Sequence, residues 1–236
     1  MTEKTGPIKQ KTLSVGLRDE ATFANYFSEQ NSELVTELKK TASGQGQRTL
    51  YFYGTGGLGR SHLTQACCHQ ADQAQLNAIY LPLSSLKSYS PDILEGLEKL
   101  SLVCIDDFQA IAGQSAWEEA FLYFYNRLMD EGGRLVMSAN IRPKSLGLIL
   151  NDVASRLTAG VIYQLQPLTD DEKLAVLIKR AELRGLILSE EVARFILTHC
   201  PRHMTTLLAA LDALDKESLA SKRRPTIHFV KEVLEI

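Results

Sequence analysis

The sequence has no large excess of either charge and no long apolar run. Its 26 basic and 28 acidic residues give a formal net charge of −2, so the chain as a whole lacks the basic excess of a nucleic-acid-binding domain. The first residues show no charged-then-apolar signal, and no apolar segment is long enough to cross a bilayer. We expect a cytoplasmic protein with no membrane partner.

Cysteine is scarce, and its spacing matches no common metal or redox motif. The four thiols lack C-x-x-C pairing. The run Cys67-Cys68-His69 is a poor metal site, because consecutive helical residues point about 100° apart and no second ligand pair is near in sequence. We expect the thiols to be buried in a core.

Strand-like and helix-like segments alternate between residues 21 and 167. The strand-like segments are 50–53, 78–81, 102–106, 135–139 and 161–165. The helix-like segments are 22–40, 60–74, 91–100 and 115–130. This alternation predicts an α/β domain with a parallel five-stranded sheet that is covered by helices on both faces.

The pattern changes after Pro167. Four helix-like segments follow, separated by glycine or proline: 170–184, 189–199, 205–219 and 229–234. We expect a small all-helical second domain over residues 168–236. Residues 1–20 are polar and show no clear periodicity, which predicts a mobile N-terminal arm.

Residues 50–61, LYFYGTGGLGRS, are typical of a strand that leads into a phosphate-binding loop. The spacing is that of G-x-x-x-x-G-K-[ST], in which glycines let backbone N–H groups turn towards a phosphate and the following helix adds its positive end. Phe23 is our candidate for a contact near the base. The other candidate nucleotide-binding residues are Gly54, Thr55, Gly56, Gly57, Leu58, Gly59, Arg60, Ser61 and His62.

Arg60 stands where the motif has lysine. A lysine acts there as a compact charge on the β- and γ-phosphates, whereas the planar guanidinium is larger. We expect the pocket to bind ADP, or another nucleoside diphosphate, more tightly than ATP. For the loop alone, a plain glycine-rich turn is the alternative.

A second motif supports the nucleotide site. The apolar strand 102–105 is followed by Asp106 and Asp107, one strand–helix unit after the loop. In nucleoside triphosphatases such acids hold Mg²⁺ and orient the attacking water. Ser61 and Asp106 are therefore our candidate Mg²⁺ ligands, and Asp107 is our candidate for the water. Acids also simply terminate strands, so the pair is a weak signal without the loop.

Polar residues also follow the strand predicted over 135–139. Ligands of open α/β sheets lie at the carboxyl ends of the strands. Asn140 or Ser138 could therefore contact a γ-phosphate or the attacking water. Turn initiation before Arg142-Pro143 is an equal alternative.

The order of these motifs resembles the AAA+ ATPases, and within them the DnaA/Hda branch of bacterial replication proteins. The similarity covers nearly the whole chain from about residue 20, and arginine in the lysine position of the loop is itself an Hda-like feature. The resemblance implies an AAA+ domain over residues 21–167 and a helical lid over 168–236. Similar segments include 20–23, 59–62, 100–106, 125–127, 154–157, 166–168, 211–215 and 229–232.

The resemblance also implies a role for Arg156. It stands where related proteins carry an arginine finger, which acts in the nucleotide site of a neighbouring subunit. The implied neighbour is ATP-bound DnaA, whose hydrolysis would be stimulated, so that initiation of replication is negatively regulated. Without the resemblance, a surface ion pair with Asp152 is the simpler interpretation.

The arm contains a second family feature, because residues 10–15, QKTLSV, resemble a peptide that binds the DNA polymerase sliding clamp. In such a peptide Gln10 would make hydrogen bonds while Leu13 and Val15 enter an apolar groove. The implied partner is the β clamp, and DNA would be reached mainly through it. A random polar tail is the alternative.

The lid departs from the family pattern. The position of the nucleotide-sensing arginine holds Thr205, and Arg202 lies one turn earlier.

A free-standing ATPase of the helicase-loader type is the second functional hypothesis, favoured by the Asp106-Asp107 pair. A DNA-binding adaptor is the third, although the basic run 222–224 is more typical of a solvated loop. The sequence leaves open a monomer, a homodimer and a mixed filament with DnaA.

Overall fold

The computed structural model describes residues 16–236, so Gln10, Leu13 and Val15 of the proposed clamp peptide lie outside the described residues. Five strands form one sheet: β1 (Thr49–Tyr53), β2 (Ala78–Pro82), β3 (Leu102–Asp106), β4 (Arg134–Ala139) and β5 (Val161–Gln164). All neighbouring strands are parallel, in the order β2-β3-β4-β1-β5. The predicted parallel five-stranded sheet is confirmed.

Helices cover both faces of this sheet. Between residues 16 and 236 the α-helices are α1 (Ser32–Ala42), α2 (Arg60–Gln73), α3 (Leu83–Leu86), α4 (Ser115–Asp130), α5 (Asn151–Thr158), α6 (Asp170–Leu183), α7 (Glu190–His199), α8 (Met204–Ser221) and α9 (Ile227–Leu234). Leu50 and Phe52 of β1 pack with α1 and α2, whereas Tyr51 packs with α3, α4 and α5 on the other face. This alternation follows from the two-residue period of a strand.

Two predicted helices differ in the structure. The segment 22–40 is α-helical only from Ser32, because Phe23–Asn25 forms a single 3₁₀ turn. Just before α1, the buried Asn31 side chain instead bonds the backbone of Gln166. The segment 91–100 forms two 3₁₀ turns separated by Gly96, whose φ of +83° interrupts a right-handed helix. Helices α3 and α5 were not predicted.

The lid has a hydrophobic core of its own. Helix α6 begins with a capping box, in which the Thr169 hydroxyl accepts from the Glu172 N–H and the Glu172 carboxylate accepts from the Thr169 N–H. The four helices α6–α9 then bury apolar side chains against one another. The largest of these include Leu177, Ile196, Leu207, Leu211 and Phe229.

Three of the four thiols are buried in a core, as predicted. Cys67 and Cys68 of α2 are buried beside Cys104 of β3, and Cys200 is half-buried. Burial raises the pKa of the Cys104 thiol well above its usual value, and the two neighbouring thiols raise it further. The Cys104 thiol is therefore protonated and a poor nucleophile. Within residues 16–236, every helix is too short or too polar to cross a membrane.

Candidate nucleotide site

The predicted phosphate loop connects β1 to α2. Gly57 and Gly59 adopt φ values of +82° and +88°, in the left-handed region that favours glycine. A Cβ atom at Gly59 would lie 2.8 Å from Cε2 of Tyr26, so glycine is required there for space as well as for conformation. The loop therefore depends on glycine at the position that the motif assigns.

A cavity of about 280 Å³ lies beside the loop, close to the lower end of the size range of small-molecule sites. Three parts of the chain enclose it: the segment before α1, the loop with the start of α2, and the lid. The lining residues are Arg18, Glu20, Asn25, Tyr26, Phe27, Thr55, Gly57, Leu58, Gly59, Arg60, Ser61, His62, Leu168, Val176, Arg180, Met204, Thr205 and Leu208.

Most of the predicted nucleotide-binding residues line this cavity, but three do not. Gly54 lines a separate hollow of about 320 Å³, together with Asn140. Gly56 is exposed on the loop. Phe23 is buried against α1 instead, with the Lys39 ammonium 5.7 Å from its ring centroid. The neighbours of Phe23 over residues 25–27 face the cavity, and sequence reasoning missed them because the helix predicted there does not form.

Arg60 is held by protein atoms rather than directed into open space. Its Nη2 lies 2.9 Å from Oδ1 of Asp107, and its Nη1 donates to the carbonyl of Gly54. Both side chains are largely buried, with exposed fractions of 13% and 21%. The guanidinium thus links the phosphate loop to the acidic pair after β3.

Asp106 is almost completely buried, and both of its carboxylate oxygens are occupied. Oδ1 accepts from the Ser138 hydroxyl and from the Asp107 N–H, and Oδ2 accepts from the Tyr80 hydroxyl at 2.9 Å. Burial first, and then the Asp106 carboxylate, raise the pKa of Tyr80 far above its usual value, so the phenol remains a donor. Ser138 thus positions Asp106.

Asp107 adopts a left-handed conformation with a φ of +57°. Burial alone would raise the pKa of its carboxyl, but hydrogen bonds from Gln109 and Ser84 and the charge of Arg60 outweigh burial and lower it. The carboxylate is therefore ionised and already paired. Asn140, on the neighbouring strand end, is exposed, and its N–H donates to Gln109 Oε1 at 3.1 Å.

The Ser61 hydroxyl and the Asp106 carboxylate are suitable Mg²⁺ ligands only if a bound nucleotide supplies further ligands. The described residues contain no group of three or more His, Cys, Asp or Glu side chains that could hold a metal. Mg²⁺ in phosphate sites is commonly bound by one or two protein oxygens, waters and the phosphates themselves. The Ser61 hydroxyl and the Asp106 carboxylate would suit that arrangement, in which the buried Asp106 would act through water.

His62, in the first turn of α2, contacts the lid. Its Nε2 lies 2.7 Å from the Thr22 carbonyl and its Nδ1 lies 3.3 Å from Nη2 of Arg180. Burial lowers the pKa of His62 to about 4, and the charge of Arg180 contributes in the same direction. The ring is therefore neutral at pH 7, donating from Nε2 and accepting at Nδ1.

Family comparisons agree with this geometry. The family model of the bacterial DnaA ATPase domain matches residues 17–164. The family model of the Hda lid domain matches residues 170–234. The chain belongs to the DnaA ATPase family.

Solved structures of DnaA share the fold. Domain III of the Thermotoga maritima DnaA superposes with a TM-score of 0.83 at 22% identity, covering 93% of this chain and 98% of that one. AMPPCP-bound DnaA from Aquifex aeolicus gives 0.68 at 20% identity, covering 88% and 69%. The T. maritima RuvB branch migration motor gives 0.69 at 16% identity, covering 91% and 71%.

The predicted finger of this DnaA-family chain is exposed on α5. The Arg156 guanidinium carbon lies 5.8 Å from the ring centroid of Tyr125. The alternative ion pair with Asp152 does not form within the described residues, whose ion pairs involve other side chains. A cation over a ring at the surface contributes about 0.5–1 kcal/mol, so this contact leaves the arginine free to move.

Glu118 of α4 positions the start of α5, the helix that carries Arg156, and sequence reasoning missed it. Its fully buried carboxylate accepts from the N–H groups of Gly113 at 2.7 Å, Ile149 at 2.9 Å and Leu150 at 2.8 Å. Leu150 is the N-cap residue of α5. The only sequence signal is an acid beside Trp117, on the apolar face of an amphipathic helix.

The lid of this DnaA-family chain places its candidate sensor residues differently. Thr205 lines the cavity, and its backbone N lies 3.9 Å from where a Cβ atom at Gly57 would be. Arg202 is 63% exposed and pairs with Asp170 at 2.8 Å, away from the cavity lining. Arg202 therefore does not replace the missing sensor arginine in this arrangement.

Proposed function

We propose that this chain is a regulatory AAA+ protein that stimulates hydrolysis of DnaA-bound ATP, together with the DNA-loaded sliding clamp, and so negatively regulates initiation of replication. The observation that carries the proposal is Arg156. It is exposed on a helix whose start is fixed by Glu118, and it is free of an acidic partner among the described residues. An Hda-type lid in the same chain supports the same assignment.

The chain's own pocket holds ADP or another nucleoside diphosphate in this proposal, with Mg²⁺ bound through Ser61, water and Asp106. The pairing of Arg60 with Asp107 supports a diphosphate. In an ATPase, Arg60 would contact the γ-phosphate and Asp107 would orient the attacking water. Here the two side chains are paired with each other, so neither is available for that role. Nucleotide binding itself is supported by a structure of the Aquifex aeolicus DnaA, which was solved with AMPPCP bound.

A free-standing ATPase of the helicase-loader type is the second candidate. Asp106, Asp107 and Asn140 all lie at the strand ends where such chemistry occurs. The Arg60–Asp107 pair argues against it, because hydrolysis needs an acid free to orient water.

The third candidate, a DNA-binding adaptor, has less support than the free-standing ATPase. Arg223 of its basic run pairs with Glu232 at 3.0 Å and so contributes less positive charge to a DNA surface.

The decisive experiment measures ATP turnover by DnaA with DNA-loaded clamp and this protein. We expect Arg156→Ala to abolish the stimulation, since arginine fingers contribute about 10³-fold or more in rate, while ADP binding to the variant is unchanged. Arg194→Ala is the matched control, because Arg194 is an exposed arginine on the lid. If Arg156→Ala still stimulated DnaA fully, the assignment of Arg156 as an arginine finger would be wrong. Rapid ATP hydrolysis by this chain alone would favour the free-standing ATPase.

The clamp contact has a separate test. Deleting residues 1–15, or replacing Gln10 and Leu13 with alanine, should abolish retention on immobilised clamp. The thermal midpoint should stay the same because the three hydrophobic cores of the described residues are built from positions after residue 20. Retention of the shortened protein would place the clamp contact elsewhere.

A further inference from the structure

We propose that Arg180 of α6 is the lid residue that contacts the bound nucleotide, and that it does so at the nucleoside end. This inference rests on the nucleotide binding of the proposed function. Arg180 lines the cavity although it is only 9% exposed. Of the lid residues that line it, Arg180 is the one with a positive charge: the others are Leu168, Val176, Met204, Thr205 and Leu208.

The guanidinium of Arg180 has donors to spare. Its Nη2 bonds Nδ1 of His62 at 3.3 Å. Its Nη1 lies 2.9 Å from Oε2 of Glu20 but is not aligned for a hydrogen bond, and Nε has no partner within the described residues. Buried polar groups are nearly always hydrogen-bonded, and a buried cation without its full set is costly. These donors point to a ligand with acceptor atoms in the cavity.

The position of Arg180 assigns it to one part of the ligand. The phosphates of a nucleotide belong against the backbone N–H groups of the loop, where Met204 and Thr205 are the neighbouring lid residues. The ribose and base must then occupy the rest of the cavity, bounded by Tyr26 and His62, whose ring centroids are 5.8 Å apart. Arg180 lies on this side, against His62 and Glu20.

The same contacts make Arg180 a link between the lid and the rest of the site. Glu20 belongs to the segment before α1, His62 to α2, and Arg180 to the lid. A nucleotide that accepts from the spare donors completes the hydrogen bonds of this link. Bound nucleotide would therefore fix the lid through α6, although the family's sensor position on α8 holds a threonine.

The test compares ADP with pyrophosphate, which has the phosphates but no nucleoside. In calorimetric titrations of the full chain we expect Arg180→Met to weaken ADP binding at least tenfold and to change pyrophosphate binding less than twofold. Arg202→Met, a lid arginine outside the cavity lining, should change neither. Hydrogen exchange in α6 should slow on ADP addition in the unaltered protein and not in Arg180→Met.

Arg180→Lys provides a second variant if the methionine variant does not fold. It keeps the charge but lacks the Nε–H donor, so it should also lose ADP affinity selectively. Unchanged ADP affinity, or an equal loss for ADP and pyrophosphate, overturns the inference and leaves the proposed function intact. Failure of the unaltered protein to bind ADP at all would remove both this inference and the nucleotide part of the proposed function.

Discussion

Arg60 Nη2 lies 2.9 Å from Oδ1 of Asp107. Arg60 follows the phosphate loop, whereas Asp107 follows strand β3. The same guanidinium donates to the carbonyl of Gly54. The residue that replaces the expected lysine thus does more than alter the contact with a phosphate. It connects the phosphate loop to the acid that should orient a water molecule, and it neutralises that acid.

Arg60→Lys should move the nucleotide preference towards ATP. An ammonium is a single compact charge that cannot bridge two acceptors as a planar fork does, so Asp107 would be released and the lysine could meet a γ-phosphate. We expect the ratio of ATP to ADP affinity, measured by calorimetry, to rise about fivefold or more. Arg48→Lys is the control, because Arg48 bonds the carbonyls of Met129 and Gly133 away from the cavity. An unchanged ratio would show that the pair does not set nucleotide preference.

Glu118→Gln should destabilise the fold and weaken the action of Arg156. The carboxylate accepts three backbone N–H groups, whereas the glutamine amide would turn an N–H₂ towards one of them. We expect a loss of about 2–3 kcal/mol in the free energy of unfolding in urea. DnaA stimulation should also fall, with ADP binding retained. Glu119→Gln changes the exposed neighbour, whose carboxylate bonds Ser115 alone within residues 16–236, and should leave both stability and stimulation unaffected.

The architecture could be predicted because each part has a local signature. Short strand-like segments alternating with helix-like ones located all five strands to within a residue, and glycine spacing located the phosphate loop. The segments 22–40 and 91–100 were predicted wrongly for a different reason. Their conformation depends on tertiary contacts, such as Asn31 with Gln166, and on a left-handed glycine at position 96.

The site was harder to predict than the fold. The motif located Arg60 and Asp107, but no spacing rule says that they pair across 47 positions. Glu118 and Arg180 are ordinary members of amphipathic helices in sequence, and only their burial distinguishes them. Long-range partners of buried charged groups carry no local signal, so they emerge only with the packing.

Gly59→Ala should damage the loop more than Gly56→Ala. A non-glycine residue in the left-handed region costs about 1–2 kcal/mol, and the added Cβ would also collide with the Tyr26 ring. A Cβ atom added at Gly56 would meet no heavy atom within 4 Å, and the φ of Gly56 is not positive. Thermal unfolding should show a lower midpoint for Gly59→Ala alone. Equal midpoints would contradict the assigned loop conformation.

Stability should depend on His62 between about pH 4 and 6.5. Its pKa is about 4 in the folded protein and near 6.5 when unfolded, so the unfolded chain binds the proton more readily in this window. The stabilisation is fully present above pH 6.5 and is lost as the pH falls towards 4. We expect this loss to be on the order of 3 kcal/mol, since one pKa unit corresponds to about 1.4 kcal/mol.

His62→Gln isolates that contribution from the carboxylates that titrate in the same range. The glutamine amide does not titrate, so only the unaltered protein loses the His62 contribution as the pH falls. The difference in unfolding free energy between the unaltered protein and His62→Gln should therefore shrink from pH 7 to pH 4.5. His69→Gln is the control, because His69 lies on the same helix outside the cavity lining and its ring bonds the Arg18 carbonyl. Parallel stability curves for the unaltered protein and His62→Gln would mean that His62 is as accessible to protons in the fold as in the unfolded chain. The neutral contact from Arg180 to Nδ1 would then be wrong as well.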